Sequence, residues 1–531
     1  MSSYAQYTDT VIKNNTIEIT QSYQPEIKQN PKPALHAILP PVDTTHPIFN
    51  YDVPQQTLYY TYSSTPIRPL ALGKDTSYNT YPNYVKLGYG NLSTIFLEYG
   101  EEGKGPDLFH VPSEHSIYIH SIYQKGSIKN QQSWLTDMRE AGSIYGKKLV
   151  WNNSLDILNN QYYCYGYDHN LYQYDAGKVK QNYTGVHVGL NAMNEGLSNI
   201  NYNPGISFNA YTGTILDSSS NKAKEYSCII TVPISYNIDT SLQLKASINA
   251  AITQYSVSQI SISNNIFQFV PGIEYHGGLM SGHAYLNPTV GKDATYFLPD
   301  IFAAYRLTEN HIVLSAGLRG SLVQNTYEQL STDNPYMNTL TGIKQTHSTE
   351  VFGNIDVSIG HHISITGRLS WWQYENMPVF VNSIGDMKQF DILYESQLNA
   401  ISLFAALKYQ ISNNLSVRIS TTSYNFSNGS LVKPWHVPTS RIKGDILFQP
   451  NKKLYVTGYL NILGGITAID NNNNPITLDG IADLGGSIEY EIVSRLSLFG
   501  QACNLLNNKN ERWLGYQGYG FNVFGGIRLK F

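Results

Sequence analysis

The side chains best suited to chemistry near neutral pH are the imidazoles, since they can hold a metal or move a proton. Six histidines sit where such a role is conceivable: His115, His120, His276, His283, His361 and His362. The adjacent pair His361-His362 lies in a segment that reads as a short turn. Neighbours in a strand point to opposite faces, so this pair would chelate poorly. His115 and His120, five apart, also fall on opposite faces of a strand. The cysteines Cys164, Cys228 and Cys503 are far apart, odd in number and form no CxxC pair, so neither a zinc site nor a disulfide framework is expected. No GxSxG, HExxH, phosphate loop or calcium loop appears. Asn471–Asn474, a run of asparagines before Pro475, reads as a loop tip. The expectation is a protein that is not an enzyme and holds no cofactor.

Composition explains what such residues are attached to. Charged residues make up only 14 % of the 531, while Tyr and Gly each reach 42 copies. Soluble domains carry roughly 25 % charge. No apolar stretch of about 18 residues occurs, so no membrane-spanning helix is encoded. Few charges, many tyrosines and no apolar runs suit a wall whose two faces alternate, lipid meeting every second residue. A net charge of −4 gives no case for nucleic acid as a partner.

From about Asn83 onward the sequence alternates. In Ser241–Thr253, Leu242, Leu244, Ala246, Ile248, Ala250 and Ile252 share one face, and Ser241, Gln243, Lys245, Ser247 and Asn249 the other. A helix would scatter these apolar residues around its axis; a strand aligns them. The pattern recurs in Tyr226–Ile238, Ile312–Leu322, Ile363–Trp371, Leu415–Thr421, Leu454–Ile462 and Leu496–Ala502. It closes with Phe521, Val523, Ile527, Leu529 and Phe531. These strands run to about 10 residues or more, near the length that crosses a bilayer at a tilt.

Short polar turns are expected around Asn153, Asp239, Gly277, Glu309, His361, Asn413, Asn451 and Ser494, with two more near Gly103 and Asn199. Ten short turns imply about 22 strands, in a range of roughly 18–24, if both chain ends lie on the turn side. Hydrocarbon demands that every backbone amide find a partner, so the sheet must close. The fold class is therefore all-β, a transmembrane antiparallel up-and-down barrel over residues 82–531 in the outer membrane. Tyr162, Tyr163, Tyr165, Trp371, Trp372 and Trp513 are the aromatics expected at the membrane interface, where a ring is buried and its polar atom stays wet.

Residues 1–81 differ. Pro25, Pro31, Pro33, Pro40, Pro41, Pro47, Pro54, Pro66 and Pro69 lie here, nine of the chain's 23 prolines. Such density favours an extended arm, periplasmic or lumen-filling, ordered by whatever surface it lies against. Met1–Gln6 supplies neither the basic start nor the apolar core of a secretory signal, yet Ser3-Tyr4-Ala5-Gln6 looks like the last residues of one. A truncated or misplaced start is expected; an ordinary cytoplasmic N-terminus is the alternative.

The ending Arg495–Phe531 resembles the last two strands of TonB-dependent receptors. It carries Asn504-Leu505-Leu506-Asn507, a following Trp513, a Gly-Tyr pair and a closing aromatic. Tyr84–Gly100 resembles the first hairpin of those barrels. Asn310–Val379, with Gln324-Asn325-Thr326-Tyr327 and Asp333-Asn334-Pro335, is similar to plug-lacking barrels of Bacteroidetes. Ile17–Pro25 and the proline-rich run after it resemble the start of that group. Thr16-Ile17-Glu18-Ile19-Thr20 resembles a TonB box, a strand offered to TonB by edge pairing. By the same resemblance, Phe531 and its alternating strand carry the signal read by the barrel-assembly machinery. No recognisable plug pattern precedes the barrel, which leaves a wide lumen to be filled by the arm, by inward loops or by another protein.

Two functions follow. One is solute uptake across the outer membrane, with specificity in loops near Lys125–Glu140, Asp168–Lys180, Thr326–Thr341, Val379–Lys388 and Asn425–Trp435. The other is a non-transporting scaffold in an outer-membrane assembly or secretion complex, gripping a partner through its arm. Expected partners are outer-membrane lipid and lipopolysaccharide, the assembly machinery during insertion, and TonB or another periplasmic or outer-membrane protein at the arm.

Overall fold

The computed structural model describes residues 83–531, apart from 106–110, 195–197, 217–221, 309–310, 428, 432 and 471. The proline-rich arm over residues 1–81, its six-residue start and the segment Thr16–Thr20 lie outside the described residues.

The described residues form a closed, antiparallel barrel of 22 strands. Closure is made by the first strand, Tyr84–Gly90, which pairs with Ile95–Lys104 on one side and with the last strand, Asn522–Lys530, on the other. The register runs from Tyr84 opposite Lys530 to Gly90 opposite Phe524. Two wall strands are each built from two segments: Ile200–Tyr202 continues as Gly205–Thr214, and Ile260–Ser263 as Ile266–His276. The breaks fall at Asn203-Pro204 and Asn264-Asn265, residue types that leave a ladder readily.

Alternation decides which face meets which medium. Along Leu242–Val257, Leu244, Ile248 and Ile252 stand exposed on the outside. On the inside Lys245 pairs with Glu274 at 2.8 Å and Asn249 donates to Gln268 at 3.2 Å. The last strand repeats this. Phe521, Val523, Ile527, Leu529 and Phe531 face outward, while Arg528 pairs with Glu489 at 3.2 Å and Lys530 with Glu491 at 2.6 Å inside. An exposed apolar belt around a polar lumen is stable only with hydrocarbon outside, so the chain is an integral outer-membrane protein.

The short turns lie at the rim where the first strand starts and the last strand finishes, with the Phe531 N–H on Asn83 O at 2.9 Å. Asp239, Gly277, His361, Asn413, Asn451 and Ser494 fall at or next to strand junctions, and Asn199 precedes the strand beginning at Ile200. Asn153 is a correction: it lies inside the strand Leu149–Tyr163, and the turn is Gly146–Lys148. Polar Asn152 and Asn153 suggested a turn, but they answer to their cross-strand partners: Asn153 donates to Glu140 at 2.9 Å and Asn152 accepts from Ser143 at 2.7 Å. For the same reason Lys125–Glu140 is mostly wall, since the strand Gln132–Tyr145 begins within it.

Candidate functional site

At the end opposite the turns, the loops fold into and across the barrel mouth. Their contacts begin on the wall. Tyr183, Tyr211 and Tyr255 point inward from the wall strands Lys180–Asn194, Gly205–Thr214 and Leu242–Val257 and meet the short helix Tyr327–Asp333, which belongs to the loop after the strand Ile312–Val323. Thr326 caps this helix by accepting from the Gln329 N–H at 3.1 Å, and Asn334 closes it with its N–H on Leu330 O before Pro335. Two further N–H groups of the first turn, those of Tyr327 and Glu328, donate to the wall carboxylate of Glu225 at 2.7 and 3.1 Å. The helix is pinned by Tyr211 to Ser331 at 2.8 Å, by Tyr183 to the Pro335 carbonyl at 3.0 Å and by His187 to Glu328 at 2.8 Å. Gly213 makes room for it: a Cβ there would collide with the Tyr327 hydroxyl.

Other loops pack onto that base. The hairpin Met377–Asn382 with Phe390–Glu395, and the last loop carrying Trp513 and Tyr516, join the same buried cluster. Tyr336 and Tyr516 stack with ring centroids 3.7 Å apart, Tyr165 meets Tyr516 edge-on at 4.9 Å, and Trp513 lies between Phe380 and Phe390 at 5.2 and 5.5 Å. Each fully buried ring of this size contributes about 1.5–3 kcal/mol through area alone. Gly515, at φ +91°, lets the chain pass so close to Gly166 that a Cβ would stand 2.6 Å from its carbonyl oxygen.

Polar edges are satisfied across loops. The Tyr165 hydroxyl donates to Gln517 O at 2.8 Å, Gln131 to the same carbonyl at 2.9 Å, and Asn382 to Leu514 O at 3.1 Å. The Tyr516 hydroxyl donates to Lys388 O. Tyr174 donates to Asp386, which also holds Lys388. Burial drives the phenols of Tyr327, Tyr336 and Tyr516 well above their usual range, so all three remain hydrogen-bond donors at any physiological pH. Burial pushes the Cys164 thiol up to about 12 and holds the Arg512 guanidinium down to about 10.

The sequence-derived sites distribute as follows. Trp513 and Tyr165, expected at the lipid interface, are instead buried in the loop assembly at 6 % and 5 % exposure. Tyr162 faces inward against Tyr183 and Tyr336, and Tyr163 packs beside buried Cys164, Tyr167 and Val179. Trp372 points to the lumen, its indole donating to Ser402 at 3.0 Å, whereas its neighbour Trp371 stands exposed outside. A period of two puts adjacent tryptophans on opposite faces, so only Trp371 can reach lipid. His361 and His362 occupy the turn, with His362 on Gln410 O at 2.8 Å. His115 lies near Glu101 and His120 near Asp137, on opposite faces. His283 sits beside Asp300, and His276 beside Glu274. Among the described residues no three metal-ligating side chains converge.

Sequence reasoning missed that the loops form one core, and missed His436 and Tyr336 within it. The available signal was aromatic density in loops, from Tyr165, Tyr167, Tyr172 and Tyr174 to Trp435, Trp513, Tyr516 and Tyr519. The Asn504–Asn507 segment has a plain task. Asn504 and Asn508 bond each other reciprocally at 2.6 and 2.8 Å, and Asn507 accepts from the Phe521 N–H at 2.9 Å, aiming the last strand.

Solved structures share this architecture. The FrpB iron transporter of Neisseria meningitidis aligns with a TM-score of 0.66 and 9 % identity over 85 % of this chain and 81 % of its own. The siderophore receptor PirA of Acinetobacter baumannii aligns at 0.65 and 9 % over 85 % and 80 %. The pyoverdine outer membrane receptor FpvA of Pseudomonas aeruginosa aligns at 0.62 and 10 % over 85 % and 78 %. No protein-family model matches the chain, and no curated protein matches it by sequence. At such identities the likeness establishes the fold.

Proposed function

We propose that this outer-membrane barrel is an uptake receptor of the TonB-dependent kind, whose loops close its outer mouth until a ligand engages them. The observation that carries this reading is the loop assembly itself: an aromatic core with satisfied polar edges, seated on wall tyrosines inside the mouth. An open pore would leave that space to water. The resemblance of Arg495–Phe531 to TonB-dependent receptors supports the reading, as do a 22-strand barrel and structural neighbours named as an iron transporter, a pyoverdine receptor and a siderophore receptor. In this proposal residues 1–81 form a separate arm, Thr16–Thr20 is the strand offered to TonB, and residues 82–531 are the barrel. The ligand's chemistry is open; the loops present tyrosine, tryptophan and amide groups to it.

Planar-bilayer recording tests the closed mouth. The whole chain should conduct poorly, and removal of residues 326–341 should open steady conductance. Equal, large conductance in both would sink the receptor reading.

A scaffold reading is favoured by one feature, that the loop rings pack against one another and are already partnered. Purification from native membranes in mild detergent separates the two, since stoichiometric companions would argue for the scaffold and a solitary barrel against it.

A further inference from the structure

On several wall strands the cations that face the lumen are matched to carboxylates. Arg368 holds Glu350 at 2.6 Å, Lys245 holds Glu274 at 2.8 Å and Lys530 holds Glu491 at 2.6 Å. Four neighbouring strands depart from this pattern: Leu398–Ser412, Leu415–Ser427, Ser440–Asn451 and Leu454–Gly464. Lys408, Arg418, Lys443 and Arg441 stand on the first three of them, and all four are exposed. Among the described residues none of the four makes an ion pair or a side-chain hydrogen bond.

Their face follows from the period of two. Ser402 accepts from the lumen-facing Trp372 indole, and Lys408, six residues on, shares its face. The register carries that face across the wall: Lys408 stands opposite Arg418, Arg418 opposite Asp445, and Asp445 opposite Tyr459. The next lumen-facing row toward the loops holds Ser420, Lys443 and Asn461, and the one beyond it Thr422 and Arg441. Successive rows on one face are about 7 Å apart, so the charges climb the wall in steps.

This arrangement is costly. Residues directly opposite in an antiparallel pair have Cβ atoms about 4.5–5.5 Å apart, and like charges so placed repel. Lys408 and Arg418 are such a pair. Asp445, the one carboxylate in their row, flanks Arg418 without closing to an ion pair. Tyr459 turns its hydroxyl to Asp483 at 3.3 Å, a carboxylate already accepting from the Asn504 N–H at 3.0 Å. A second repulsion marks the upper end. Burial, with the Arg441 charge adding to it, holds the Arg512 guanidinium down, so Arg441 sits close beneath the loop assembly.

The strands also leave room for the missing negative charge. A cavity of about 320 Å³ faces the lumen, and Lys408, Ser416, Arg418, Asp445, Thr457 and Tyr459 are among the residues that line it. A guanidinium fork matches two oxygens of a carboxylate or phosphate, and an ammonium adds a point charge. Pores that pass anions carry Arg and Lys on their walls for the same reason.

We propose that Lys408 and Arg418 bind a small multivalent oxyanion in this cavity, a solute bearing phosphate or carboxylate groups, and that Arg441 and Lys443 form the track leading to it from the loops. An anion bridging Lys408 and Arg418 replaces their repulsion with charge-assisted hydrogen bonds. As a step in uptake this rests on the receptor reading and names the charge of its solute; the binding itself needs no closed mouth. Residues 1–81 are a poor match for the strip, since six acidic and five basic residues leave them nearly neutral.

The test is isothermal titration calorimetry of the whole chain in nanodiscs of zwitterionic lipid at low salt, which expose both barrel ends to solvent. Sodium pyrophosphate and sodium citrate are the probes. Saturable binding of either supports the site, and the tighter of the two tells phosphate from carboxylate chemistry. K408Q/R418Q should weaken binding by about tenfold or more. D445N, which takes the carboxylate out of the row, should tighten it several-fold. K222Q/K224Q removes the same charge from the outer face, where both lysines alternate with buried Ala223 and Glu225, and should leave binding unchanged. Heat-modifiable mobility shows that each variant has inserted. Binding of neither anion, or binding that K222Q/K224Q weakens as much as K408Q/R418Q does, overturns the site. Neither result depends on the conductance of the mouth, so failure here and failure of the receptor reading are told apart.

Discussion

The imidazole of His436 donates through Nδ1 to the carbonyl oxygen of Phe380 at 2.8 Å. Its other nitrogen, Nε2, accepts from the Leu514 N–H at 3.3 Å, and its own carbonyl accepts from Arg512 at 2.6 Å. One neutral ring thus joins three loops. Protonation would remove the lone pair that Leu514 uses.

This gives a pH dependence with a definite sign. Burial, with the Arg512 charge adding to it and the Phe380 bond opposing, holds the His436 pKa down to about 4. An unfolded histidine titrates near 6.5. Between those values the opened loops bind more protons than the closed ones, so stability is full above about 6.5 and falls on acidification toward about 4. The loss at the lower end is roughly 3 kcal/mol at 1.36 kcal/mol per unit. Burial raises the pKa of the Asp333 and Glu511 carboxyls, which acts in the opposite sense near the carboxylate range, so the His436 contribution is read locally, beside Trp513, over about pH 5–6.5. Fluorescence of Trp513, whose ring is 5.3 Å from that of His436, should shift through this window and become flat in H436Q. An identical shift in H436Q would refute the assignment.

Glu225 should prove a hinge pin for the helix Tyr327–Asp333. Replacing it by Ala leaves two buried N–H groups without acceptors, each worth about 1–3 kcal/mol. Hydrogen exchange at Tyr327 and Glu328 should accelerate while the wall strands stay protected. Unchanged exchange would mean that the tyrosine contacts suffice.

The outer belt predicts a directional effect of charge. Ile248→Arg places a cation in hydrocarbon and should cost roughly 2–4 kcal/mol in bilayer folding titrations. Asn249→Arg, one residue on and facing the lumen, should cost far less. Equal costs would contradict the assigned faces.

Phe531 should matter to insertion more than to stability. Its ring is outside and exposed, and its N–H bonds Asn83 O at 2.9 Å, a contact that any side chain permits. Phe531→Ala should slow assembly in cells while leaving the purified barrel's unfolding midpoint nearly unchanged. A large fall in that midpoint with normal assembly would reverse the assignment.

Cys164 offers a reporter of loop opening. It is fully buried with its thiol pushed up to about 12, so maleimide should leave it unmodified at neutral pH until the loops part. Labelling as fast as that of a solvent-exposed cysteine would show the assembly to be open at rest.

Much of this molecule was legible before any tertiary contact was known. Leu244, Ile248 and Ile252 alternate with Lys245 and Asn249 because lipid and water press on opposite faces of one strand, a constraint that each strand obeys locally. Closure and the number of strands follow from that pattern, the ten turns and the demand that no edge stay unpaired. Trp513 could not be placed this way. Loop residues answer to partners far along the chain, as Gln131 does to Gln517 and Asn382 to Leu514, and no local period encodes such meetings. The wall prolines divide between the two. Pro271, Pro288 and Pro299 are plain in the sequence, but only the register of three strands sets Pro271 and Pro299 in one row and Pro288 two rows nearer the loops.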